Sequence, residues 1–140
     1  MSRRGAVRGP HNGPRMAKVL IVDDDPDILR LVEFRLRKGG HRVVAVPGGP
    51  DALAVVDERG APDVVVLDVT MPEMDGFETL RRLRALDGLA ELPAIFLSAR
   101  VLPEDVEAGR AAGATYLTKP FSAVALLQAI ERAVPDAGGW

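Results

Sequence analysis

Short apolar runs recur along the chain, and between them apolar residues return at helical spacing. Val19–Val22 (VLIV), Arg42–Val46 (RVVAV), Val64–Leu67 (VVVL), Ala94–Leu97 (AIFL) and Tyr116–Thr118 read as strands. Most of these runs are continuous rather than alternating, as in strands covered on both faces. Pro26 suits the first position of a helix, where no N–H is needed. Ile28, Leu31, Val32 and Leu36 then recur on one predicted helical face, and Gly39-Gly40 closes it. Pro50–Glu58 reads as a second helix, and a third carries Phe77, Leu80 and Leu83 on one face. Pro103 to Ala112 is helical by residue type with a thin apolar stripe. Ser122–Val134 is the last helix, with Val124, Leu127, Ile130 and Val134 expected inward.

Five strand–helix units of this kind predict an α/β protein with a parallel sheet between two helical layers. Right-handed crossovers make this a three-layer, doubly wound sandwich. Residues 17–134 form the predicted domain. Residues 1–15 are rich in Gly, Pro and Arg without apolar periodicity. Such a stretch buries too little surface to offset its ordering entropy. Residues 1–16 are therefore expected to be a flexible tail, and 135–140 a frayed end.

Composition narrows the function. The chain has 140 residues, 47% of them hydrophobic, enough for one domain with its own core. A net charge of −2 provides no global basic field for nucleic acid. With no cysteines and two histidines, disulfides and thiolate metal sites are excluded and zinc is disfavoured. No apolar run approaches the ~20 residues of a membrane span, and no signal-peptide core is legible. A cytoplasmic protein is expected.

The chemistry lies where the strands end. In an open parallel sheet, ligands bind beyond the carboxyl ends of the strands. Those ends carry Asp23, Asp24 and Asp25, then Asp68, then Ser98, then Lys119. Acids after the first strand would also suit the positive end of a helix. That role does not account for a further acid, a hydroxyl and an amine on three other strand ends. Clustered carboxylates repel one another, which raises some of their pKa values or calls for a cation. An all-oxygen ligand set suits magnesium.

These residues stand in four motifs: VLIVDDDP (residues 19–26), VVLDVTMPEMDG (65–76), FLSAR (96–100) and YLTKPF (116–121). In order and spacing the chain resembles the receiver domain of two-component response regulators over roughly residues 17–134. The resemblance implies a flavodoxin-like sheet of order 2-1-3-4-5 with five helices. It implies Asp68 as phosphoacceptor, and magnesium held by Asp23, Asp24, Asp68 and the backbone carbonyl of Thr70. Lys119 would contact the acylphosphate, Ser98 would hydrogen-bond it, and Tyr116 would change rotamer as Ser98 moves. The Lys119–Pro120 peptide would be cis. The segment from Gly113 to Tyr116 is one residue shorter than is usual in the family. Thr70 and Arg100 stand where the family tunes hydrolysis of the phosphoryl group.

A haloacid-dehalogenase-type phosphatase also uses an aspartyl phosphate, but wants an acid two residues later, where Thr70 stands. A receiver-like module that no longer takes phosphate would have lost an acid or the lysine, and all are present. The implied role is a stand-alone receiver in a phosphorelay, with no separate substrate and hence no enzyme in the usual sense. The implied partners are a sensor histidine kinase or histidine phosphotransfer protein and a downstream protein target. No output domain is legible after residue 134, so output is expected through protein contact, without direct nucleic-acid binding.

Overall fold

Every apolar run becomes a strand of one sheet. The computed structural model describes residues 16–99 and 101–134. The strands are β1 (Lys18–Val22), β2 (Arg42–Val46), β3 (Val64–Asp68), β4 (Ala94–Ser98) and β5 (Ala114–Thr118). The helices are α1 (Pro26–Lys38), α2 (Gly49–Arg59), α3 (Gly76–Arg84), α4 (Pro103–Ala111) and α5 (Ala123–Ala133). All strand pairs are parallel, in the order β2-β1-β3-β4-β5. The tails predicted at 1–16 and 135–140 lie, apart from Met16, outside the described residues, as does Arg100.

The two-residue period of the strands divides the core. Leu20, Val22, Val65, Leu67 and Phe96 face one helical layer, with Ala52, Val56, Leu80 and Leu83. Val19, Ile21, Val64, Val66, Ile95 and Leu97 face the other, with Val32, Leu36, Leu126 and Ile130. All five residues of β3 are buried, which explains its unbroken apolar run. The chain reverses its direction of winding after β2, so β1 and β3 lie side by side. Their carboxyl ends border the crevice in which such sheets bind ligands.

Helix α1 begins at Pro26 behind the cap Asp25, whose side chain accepts the N–H of Asp27. It buries Val32 and Leu36, each contributing roughly 1.5–3 kcal/mol by leaving water.

Three helical faces differ from the periodicity-based expectation. Leu31 is 47% exposed because the buried stripe of α1 runs through Val32 and Leu36. Phe77 is also 47% exposed, although its ring meets Phe96 at 4.9 Å between centroids. In α5, Leu126, Ala129 and Ile130 are buried, while Val124 is 62% exposed. Leu127 and Val134 pack only partly against the core. Strand β5 starts two residues earlier than predicted, directly after Gly113, whose φ of 71° makes the turn.

Candidate functional site

The sheet delivers its polar residues to one rim. Asp23 follows β1, and its N–H donates to the Val46 carbonyl at 3.2 Å, so β1 and β2 hold it from both sides. Its side chain is fully buried. Oδ1 accepts the N–H of Asp25 at 2.9 Å, and Oδ2 lies 3.1 Å from Lys119 Nζ. Asp24 is exposed and makes no hydrogen bond within the described residues. Asp25 is exposed, and its carboxylate caps α1.

Asp68 ends β3, 8% exposed, with Oδ1 at 3.3 Å from Lys119 Nζ. One carboxylate oxygen each from Asp23, Asp24 and Asp68 fall within 4.8 Å of one another. With all three ionised, Lys119 leaves two negative charges unbalanced. Burial pushes the Asp68 carboxyl above its ordinary value; the charge of Asp23 adds to this and Lys119 opposes it. Burial alone would lower Lys119, but its hydrogen bond to Asp23 and the charges of Asp23 and Asp68 outweigh that and raise it. A divalent cation fits this donor set, which is all oxygen and short of positive charge. Thr70 is exposed two residues past Asp68, and its carbonyl receives no hydrogen bond among the described residues.

Lys119 is aimed by the end of β5. Its N–H donates to the Ser98 carbonyl at 2.7 Å, and the Lys119–Pro120 peptide is cis. Ser98 ends β4 half-buried, in register with Thr118. Tyr116 is in register with Phe96, and their rings stack at 5.1 Å between centroids. Burial, and then the charge of Asp105, raises the Tyr116 phenol.

Sequence reasoning missed Gly76. Its N–H donates to the Val69 carbonyl at 2.8 Å, tying the start of α3 back to the residue after Asp68. A Cβ at this position would collide with the Asp68 carbonyl oxygen and crowd Val69 Cα. The signal available in the sequence was the Asp75-Gly76 pair, a helix cap followed by a residue without a side chain.

A profile of the response regulator receiver domain matches residues 19–131. The chain belongs to that family. It is 42% identical over 115 residues to an uncharacterized 14.6 kDa protein in the sodA1 3' region of Leptolyngbya boryana, covering 81% of this chain and 87% of that one. It is 43% identical over 106 residues to the transcriptional regulatory protein TrcR of Mycobacterium tuberculosis, covering 75% of this chain but 40% of that protein. Against such regulators the receiver chain spans about half the length or less. Among solved structures, the chemotaxis protein CheY4 of Vibrio cholerae superposes with a TM-score of 0.76 at 37% identity, over 84% of this chain and 98% of that one. The receiver's sheet order, 2-1-3-4-5, is that of the flavodoxin-like sandwich.

Proposed function

We propose that this receiver takes a phosphoryl group onto Asp68 from a phosphohistidine on a sensor kinase or phosphotransfer protein. The observation that carries this reading is the meeting of a buried carboxylate with the ammonium of Lys119 and two further acids at one rim. An Asp68 oxygen attacks phosphorus, an O–P bond forms, and the N–P bond to the donor histidine breaks. An anionic nucleophile meets an anionic phosphoryl group, so charge must be neutralised before the two can approach. Lys119 supplies one positive charge 3.3 Å from Asp68. Asp23, Asp24, Asp68 and the Thr70 carbonyl would hold magnesium, which supplies the remaining neutralisation.

In the same reading, the new phosphoryl oxygens accept a hydrogen bond from Ser98, and Tyr116 follows, changing a protein-binding face. Only a differential interaction with two states can move such an equilibrium, and the Ser98 hydrogen bond supplies one. The reading is of a cytoplasmic relay component whose output is contact with a protein target.

Incubation with a small phosphodonor, with and without magnesium, tests the first step by intact mass. One phosphoryl group is expected on the parent only with magnesium, and none on Asp68→Asn; equal labelling of the two overturns the assignment. The switch is read by NMR with beryllofluoride. Ser98→Ala is expected to bind it with a smaller response around Tyr116, and a full-sized response rules the coupling out.

A further inference from the structure

A second site lies at the opposite end of the sheet from Asp68. There the first residues of β1 and β2 and the last turn of α2 surround a cavity of about 490 Å³. Lys18 and Arg42 are partners in the parallel register, so both side chains leave the same face of the sheet. Arg59 enters from the end of α2. Arg37 reaches round the edge of β2, where its Nη2 donates to the Val43 carbonyl at 2.9 Å. Val44 and Val55 supply an apolar wall.

Among the described residues, the charged side chains that line this cavity are of one sign. None of its lining residues among those described is acidic. Two acids stand against lining residues: Glu33 pairs with Arg37 at 3.0 Å, and Asp63 accepts the backbone N–H of Lys18 at 2.8 Å. Arg42 and Arg59 are exposed and form no ion pair among the described residues. Like charges on neighbouring strands destabilise a sheet.

We propose that this cavity binds a small organic phosphate with a flat or apolar body, of the nucleotide class. Guanidinium groups present paired N–H donors matched to phosphate oxygens, and a lysine adds a point charge. The valine wall can cover the face of a base. The volume lies within the roughly 300–1,000 Å³ of small-molecule pockets. Because the cavity and Asp68 sit at opposite ends of the strands, phosphoryl capture and this binding can fail independently.

The test is NMR titration of the full chain, in buffer free of divalent metal, with ADP, pyrophosphate and adenosine. ADP is expected to give saturable shifts at Val43, Val44, Val55 and Gly60, pyrophosphate weaker ones, and adenosine none. Arg42→Gln and Arg59→Gln should each bind ADP about tenfold more weakly, while still taking phosphate on Asp68 as the parent does. The site is overturned by shifts elsewhere only, by no saturable shift at millimolar ADP, or by unchanged affinity in both variants. Pyrophosphate binding as tightly as ADP, or adenosine binding at all comparably, overturns the nucleotide assignment.

Discussion

Gly76 and Gly109 each leave room for a neighbour, and the neighbours differ in kind. Beside Gly76 stands backbone, the carbonyl of Asp68 and the Cα of Val69. Beside Gly109 stands first the ring of Tyr116, a side chain that can swing away, and then the Ala114 carbonyl oxygen at 3.0 Å. The surroundings differ in the same sense. Every residue of β3 is buried, and Asp23 is pinned through its backbone and both carboxylate oxygens. Strand β5 is an edge with one buried residue, and α4 buries only Gly109. The rim that would do the chemistry is held by close-packed backbone, whereas the face that would report on it is held by a few side chains. Sparse burial marks segments at the low end of local stability.

Gly76→Ala should break the first region with the largest effect. Alanine is favoured over glycine in a helix by up to about 1 kcal/mol. Here the added carbon meets backbone that cannot rotate aside, and overpacking of this kind costs roughly 1–3 kcal/mol. A net loss of stability in denaturant unfolding is expected, together with reduced phosphoryl capture at Asp68. Parental stability and capture would show that the loop yields.

Gly109→Ala sharpens the contrast. The same helical gain applies, but the new Cβ would sit 2.5 Å from Tyr116 Cε1 and 3.0 Å from the Ala114 carbonyl oxygen. The ring can leave its stack on Phe96 to relieve the first contact, so the net change in stability should stay within about 1 kcal/mol. The expected signature is a shift in the Tyr116 and Phe96 ring resonances without loss of phosphoryl capture. Unchanged ring resonances would place the ring's freedom elsewhere.

The smallest effect concerns charge at the rigid rim. The Asp68 carboxyl is raised above its ordinary 3.8 by burial first and then by Asp23. The folded state therefore binds this proton more tightly than the unfolded state. That stability is fully present below the unfolded value and is lost as pH rises through the raised folded value. Asp68→Asn escapes the loss. In metal-free buffer near neutral pH it should melt a few degrees above the parent, with the gap closing as the pH falls toward 3.8. A lower melting point for the variant at neutral pH would mean that the ion pair with Lys119 outweighs the burial and repulsion.

The amino-acid sequence by itself determined the strands, their parallel arrangement and the identity of the groups at their carboxyl ends. Buried parallel strands must be continuously apolar, and polar residues placed directly after such runs have nowhere to go but the rim. Asp23, Asp68 and Ser98 were legible for that reason, and Lys119 as the residue that follows the short, half-buried β5. The rotation of the helices was decided only by the tertiary structure. In α5, Val124, Leu126, Leu127, Ala129 and Ile130 offer more than one stripe at helical spacing, and packing on β4, β5 and α1 selected the one through Leu126 and Ile130. The same holds for the Lys119–Asp23 contact, which joins residues 96 positions apart, and for the close approach of backbone that requires glycine at 76. The four cations of the second cavity come from β1, α1, β2 and α2, and no local pattern relates them. Periodicity records which residues share a face of one element; only packing decides which face meets which neighbour.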